Sequence, residues 1–348
     1  MTSVGERYDF ASDNTAAICP EAWAALQEAN AGEASSYGED RWTARVTERV
    51  REIFETNCGV FFVFNGTAAN ALALAQLCQP FHSVLCHEHS HIQTDECGAP
   101  EFFTNGSKLL VVGGANGKID LAEAELILTQ QRELHSHKPR VLSLTQSTEL
   151  GTVYDPGQIE ELSKFARQRG MLVHMDGARF ANAVATLRCR PKAVTWKAGV
   201  DLLCFGGTKN GLGGGELVVF FNNELAHEFD YRVKQGGHLA SKMRFLAAPW
   251  SALLHDDVWL RNAERANEAA TRLADRLRTE CKIDAVFPVQ ANAVFVRLDE
   301  NFVRDLHGRG WHFYKFLEPD IYRLMCSWAT RDEAIDKFLG DVIALRRG

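Results

Sequence analysis

Between residues 60 and 221 short apolar runs alternate with helical stretches, and this alternation constrains the fold more than any other feature of the chain. Residues 60–64, 83–86, 108–112, 140–144, 171–175, 200–205 and 216–221 read as strands, each a short apolar run too brief for a helix. Residues 68–77, 121–134 and 159–169 read as helices between them. Gly170 stops the last of these, because glycine takes the left-handed cap conformation without a Cβ clash. Strands that alternate with helices pair in parallel and carry helices on both faces. The expected class is therefore α/β, with a mostly parallel sheet. Two helices lead into it. One starts at Pro20 and runs toward Gly32, and the other carries Val46, Val50, Ile53 and Phe54 on one stripe.

The texture changes near Pro249. A long charged helix over 259–280 leads into strands at 293–298 and 322–328, and Thr330 with Glu333 gives a capping-box pattern for a last helix. Two strands between two helices predict a smaller α+β domain. The chain then divides into a large domain, 1–248, and a small one, 249–348. At 348 residues it has the length for both cores.

Composition removes several classes of function. Apolar residues at 46% and charged ones at 24% suit a globular protein, not a disordered chain or a fibre. A net charge of −7 without a long Lys/Arg run gives no pull toward nucleic acid or an anionic membrane. No apolar run approaches the roughly 18 residues of a membrane span. The opening residues, Met1 to Arg7, are charged where a secretory signal would be apolar. Nine scattered cysteines, an odd number, suit free thiols in a reducing cytosol, so a cytoplasmic location is expected.

Three segments carry chemistry. In Phe205-Gly206-Gly207-Thr208-Lys209-Asn210-Gly211 a lysine sits in a Gly-rich turn after a buried strand, at the sheet edge where α/β folds place ligands. Burial there would lower its pKa and make it a usable amine nucleophile. The phosphate-binding P-loop pattern fails, since Asn210 and Gly211 follow the lysine. In His174-Met175-Asp176-Gly177-Ala178-Arg179 a carboxylate ends an apolar strand, a costly position without a cationic partner. A protonated pyridine nitrogen is such a partner. In Asn65-Gly66-Thr67-Ala68-Ala69-Asn70 the free N–H groups of a helix start and the Thr67 hydroxyl make a phosphate seat. Taken singly, these are also a surface lysine, a helix cap and an ordinary turn. Together they supply an amine, a ring-nitrogen partner and an anion cradle, the set that pyridoxal 5′-phosphate requires.

A fourth segment, His87-Glu88-His89-Ser90-His91, fits the zinc-protease pattern H-E-x-x-H. That chemistry needs both histidines on one helix face. His87 directly follows an apolar run and so is expected at a strand end, and no metal is expected.

The chain resembles the low-specificity L-threonine aldolases of pyridoxal-phosphate fold type I. The resemblance rests on Phe10-Ala11-Ser12-Asp13-Asn14, Tyr37-Gly38-Glu39-Asp40, the turn from Asn65, HIQTDECGAPE from His91, HMDGAR from His174, FGGTKNG from Phe205 and SKMRFLAAPW from Ser241. It implies that Lys209 anchors the cofactor as a Schiff base, that Asp176 binds the ring nitrogen and that His91 stacks on the ring. Asn65, Gly66 and Thr67 would hold the phosphate, with Lys242 as a candidate contribution from a partner subunit. Ser12, Arg179 and Arg323 would grip the substrate carboxylate, and His135 would lie near the β-hydroxyl. The implied activity is retro-aldol cleavage of L-threonine, L-allo-threonine and related amino acids to glycine and an aldehyde. The implied assembly is a homotetramer of dimers that share active sites. A phenylserine-type aldolase, an aminotransferase or a β-eliminating lyase would use the same fold.

Overall fold

The computed structural model describes residues 5–347, so the first four residues of the opening read above lie outside it. Seven strands form the main sheet: β1 (Gly59–Val63), β2 (His82–His87), β3 (Lys108–Val112), β4 (Lys138–Thr145), β5 (Leu172–Gly177), β6 (Leu202–Phe205) and β7 (Glu216–Phe220). Their order is β1-β7-β6-β5-β4-β2-β3. The pairs β2–β3, β2–β4, β4–β5 and β5–β6 are parallel, as the alternation predicts. The exception is β7, antiparallel to both β6 and β1. Only residues 206–215 connect β6 to β7, too few for the helical crossover that parallel pairing requires.

Successive residues on a strand face opposite sides, and two cores result. Leu217 and Val219 pack with α1 (Pro20–Ala29), α2 (Arg41–Phe54) and the helices Pro156–Gln168, Phe180–Leu187 and Arg244–Leu254. Val218 and Phe220 pack on the other face against α3 (Gly66–Leu77) and Phe229–Gln235. The Ala/Leu helix α3 is buried almost all round, which fits its lack of a polar face. The α2 helix is held at its start by Asp40, whose Oδ1 accepts from the Trp42 and Thr43 N–H groups.

A second, antiparallel sheet has the order β8-β10-β9, with β8 at Ala293–Arg297, β9 at Tyr314–Leu317 and β10 at Ile321–Met325. Its core takes the apolar side of the long helix Val258–Cys281 from Ala269 onward, whereas Val258, Trp259 and Ala263 of that helix belong to the main core. The position 248/249 falls inside the continuous helix Arg244–Leu254.

Other local expectations shift. The helix expected over 121–134 stops at Thr129; Leu134 is 99% exposed, so no apolar burial holds a further turn. Thr330 and Glu333 do not form the capping box. The last helix starts at Asp332, and the Thr330 hydroxyl accepts from the Ser327 N–H instead. The helix Glu300–Gly308 and strand β9 are additional elements. Among the described residues no helix is long and apolar enough to cross a membrane.

Candidate active site

Strand direction brings the predicted segments together. Asp176 is the penultimate residue of β5, the Lys209 turn follows β6, and residues 65–67 open α3 after β1. All three line one cavity of about 220 Å³, together with His91, Thr208 and Glu216. The turns can meet because Gly206 has no side chain: a Cβ there would lie 2.4 Å from the Ala178 carbonyl oxygen. Asn210, next to Lys209, is pinned to the long helix by two reciprocal bonds, Asn210 Nδ2 to the Trp259 carbonyl (2.8 Å) and Asn262 Nδ2 to the Asn210 carbonyl (2.9 Å).

Asn65 caps α3 by accepting from the Ala68 N–H at 2.9 Å, while the Ala69 N–H bonds the Asn65 carbonyl. Gly66 and Thr67, at the first two helical positions, keep the unpaired N–H groups of a helix start, and a Cβ at Gly66 would meet open space. This is the geometry of an anion cradle.

Asp176 is 4% exposed and accepts from Asn70 Nδ2 (2.9 Å) and the Ala178 N–H (3.0 Å). The helix Phe180–Leu187 has Arg179 at its N-cap position, so Asp176 is not its cap. Asn70 also donates to Glu96 Oε1 (2.8 Å), which pairs in turn with His91 Nδ1 (3.0 Å). A polar chain thus runs from the His91 ring to the Asp176 carboxylate. The hydrogen bond to Glu96 raises the His91 pKa against the opposing effect of burial. Burial raises that of Glu96, only partly offset by His91 and Asn70. His174, buried beneath and bonded to the Ser143 hydroxyl at 2.9 Å, is pushed down to about 4 by desolvation, so it stays neutral. Asn70 and Glu96 did not emerge from the sequence reading. Asn70 left a signal, as the one strongly polar residue in the middle of an Ala/Leu helix.

A second cavity of about 520 Å³ adjoins the first through Asn14, His91 and Lys209. It contains Ser12, Arg179 and Arg323, the three residues expected to hold a carboxylate, and also His89, Glu149 and the whole of β9. The arginines differ. Arg179 Nε and Nη2 bond the two oxygens of Asp13 at 2.7 and 3.0 Å, both side chains being buried. Burial would raise the Asp13 pKa, but Arg179 prevails and holds it below the usual carboxylate range. Arg323 lies over the Phe316 ring (5.0 Å), and its buried Nε has no partner. Burial and repulsion from Arg179 lower its pKa. Among the described residues it pairs with no carboxylate. Ser12 accepts from the Asn14 N–H as an N-cap and also faces the cavity.

Two expected site residues are elsewhere. His135 ends a short 3-10 turn before β4, at the opposite edge of the sheet from Asp176, and it lines neither cavity. The eight residues of β4 separate the two edges, roughly 26 Å at about 3.3 Å per residue, so His135 cannot reach the substrate of its own chain. A different histidine, His89, lines the second cavity. Lys242 is exposed, ahead of the helix Arg244–Leu254, and lines neither cavity. The H-E-x-x-H segment is split: His87 closes β2 and bonds the Gly114 carbonyl at 3.1 Å, whereas His91 opens the next helical turn.

Known proteins share the sequence and the fold. The β-eliminating lyase family model matches residues 9–301. The chain is 54% identical to the low specificity L-threonine aldolase of Pseudomonas aeruginosa, with 96% of each chain covered. It is 51% identical to that of Pseudomonas sp., with 97% of each covered. The solved Leishmania major threonine aldolase superposes with a TM-score of 0.91 at 26% identity, over 97% of this chain and 99% of that one. The Bacillus subtilis ureidoglycine-glyoxylate aminotransferase, at 14% identity and a TM-score of 0.70, shares the fold. The family match over residues 9–301 and the two Pseudomonas relatives, covered along nearly their full length, place the chain in the β-eliminating lyase family, among the low-specificity L-threonine aldolases of fold type I.

Proposed function

We propose that this protein uses pyridoxal 5′-phosphate to cleave L-threonine, L-allo-threonine and related β-hydroxy-α-amino acids to glycine and an aldehyde. The observation that carries this reading is the pair of adjoining cavities with Lys209 at their junction, one fitted to a phosphorylated ring and the other to a carboxylate. The buried Asp176 fits a ring nitrogen, the open N–H groups of Gly66 and Thr67 fit a phosphate, and the unpaired Arg323 fits a substrate carboxylate. When bound, the cofactor supplies an electron sink for the charge left on Cα as the Cα–Cβ bond breaks.

The chain's own residues do the rest. Asp176 holds a proton on the ring nitrogen, and Asn70 fixes the carboxylate in place. Glu96 orients His91 beside the ring position. Arg323 and the remaining donors of Arg179 orient the substrate through its carboxylate. Lys209 returns a proton at Cα. His89 is the proposed acceptor for the β-hydroxyl proton, with Glu149 on the same wall. Replacing His89 with alanine should then lower kcat about 10²-fold or more. His135→Ala should leave kcat/KM unchanged; a large loss would mean that His135 reaches a neighbouring subunit's site. Glu96→Gln should move the His91 imidazole titration, followed by NMR, to lower pH, because the group that raises it is gone.

The primary test is an absorption spectrum with and without borohydride, then mass spectrometry of the Lys209 peptide and an assay of acetaldehyde released from threonine. A reduced pyridoxyl adduct on Lys209 together with acetaldehyde is the expected result. A keto acid in place of the aldehyde would select the aminotransferase reading. The same proposal includes a cytoplasmic homotetramer of dimers that share active sites, with Lys242 reaching the phosphate only across a subunit boundary. Light scattering that showed a fully active monomer would overturn the assembly.

A further inference from the structure

Arg323 lacks the kind of partner that fixes Arg179. The Arg179 guanidinium is gripped by both oxygens of Asp13, whereas the buried Nε of Arg323 has no partner. Arg323 lies instead over the Phe316 ring, 5.0 Å from its centroid, and both residues line the second cavity. Phe316 is half-buried and is itself held in place. Phe295, buried on β8, meets it edge-on at 5.1 Å and meets Phe287 in turn at 5.5 Å.

A β-bulge delivers that ring. Between β9 and β10, Ile321 stands opposite Leu317, Tyr322 opposite Lys315 and Arg323 opposite Tyr314, which leaves Phe316 with no residue across from it. Had the Ile321–Leu317 register continued, Lys315 would stand directly opposite Arg323, and like charges so placed repel. The extra residue removes that clash, and the Lys315 amine pairs with Glu300 at 2.8 Å and Glu318 at 3.3 Å. Strand β9 is an edge of its sheet, and a bulge on such an edge re-aims side chains toward an adjoining site.

Resting on the assignment of the substrate carboxylate to Arg323, we propose that Phe316 is a positioning residue: its ring holds the Arg323 guanidinium at the cavity and leaves the N–H donors free for that carboxylate. A ring face attracts a cation without consuming a donor, whereas a carboxylate partner takes two of them. Glu149 and Asp95 line the same cavity, and either would draw in a guanidinium that was free to swing. Ordering a long side chain only when the substrate arrives would also cost affinity. The ring meets both demands in advance. Phe316 therefore acts on substrate binding through Arg323 and takes no part in the bond-breaking step.

The test is a double-mutant cycle on the holoenzyme, read by steady-state cleavage of threonine. Phe316→Leu keeps most of the apolar bulk and loses the ring face. It should raise KM about 5- to 30-fold, the worth of a desolvated cation–ring contact, with kcat little changed. Phe316→Tyr, which keeps a ring face, should bring KM back near the wild-type value. In an Arg323→Met background Phe316→Leu should cause no further loss of kcat/KM. An equal loss in both backgrounds would mean that the ring serves packing alone, and the proposal would fail while Arg323 kept its role. A normal KM in Arg323→Met itself would overturn both. Should Phe316→Leu not fold, mono-, di- and trifluorophenylalanine at position 316 keep the shape while draining negative charge from the ring face. KM should then climb with the number of fluorines, and a flat series would reject the assignment.

Discussion

Lys209→Ala is expected to reduce threonine cleavage to background, a loss of at least about 10⁴-fold given the scale of enzymatic acceleration. Two jobs disappear with one side chain: the covalent anchor and the proton donor at the junction of the cavities. The fold should survive, because the turn is held by the backbone and side chain of Asn210, by Gly206 against Ala178, and by the Glu216 bond to Gly207. Near-ultraviolet dichroism should therefore match the wild type while the visible band and the borohydride adduct are lost. A variant that kept both the band and the turnover would refute the assignment of Lys209.

The two arginines of the substrate cavity should fail in opposite ways. Arg179→Ala leaves the buried Asp13 without its main partner, and breaking such a pair costs about 3–5 kcal/mol. Asn292, which donates to Asp13 at 3.0 Å, cannot replace a charge. The loss depends on pH with a definite sign. Asp13 has a depressed pKa, so its contribution is full above its ordinary value of 3.8 and disappears as the pH falls through the folded-state value. Denaturation of wild type and variant should therefore converge in acid. Arg323→Met removes a cation that has no carboxylate partner among the described residues, so stability should hold or rise. Its cost should fall on substrate binding, about 2–5 kcal/mol for a lost carboxylate contact, or at least about 30-fold in kcat/KM, mainly through KM. Urea titration and steady-state kinetics on the two variants separate these outcomes. A destabilised Arg323→Met with normal KM would reverse the roles.

Much of the site was legible because its chemistry is local. The Lys209 turn, Asp176 at the end of an apolar strand and the cradle at residues 65–67 each announce themselves within a few residues, and parallel strands bring their ends to one edge. Arg323 could be read as a substrate ligand only through the family resemblance. Its lack of a carboxylate partner is a tertiary fact. Asn70 and Glu96 lie 26 residues apart and meet only when α3 packs beside the segment after β2. The side that β9 gives to the second cavity escaped because Tyr314–Leu317 is a four-residue strand containing Lys315, with no period to detect. The position of His135, away from both cavities of its own chain, could not be read because distance along the chain says nothing about which end of a strand a residue precedes.

The sequence by itself determined the α/β alternation, the parallel pairing of β2 through β6 and the three turns that line the first cavity, since apolar periodicity and turn chemistry act over short spans. Tertiary structure alone decided which residues those turns face. The reversal of β7 illustrates the division. The brevity of residues 206–215 forces an antiparallel return, and that return carries Glu216 from the expected far end of a strand to the edge where Lys209 and the cradle meet.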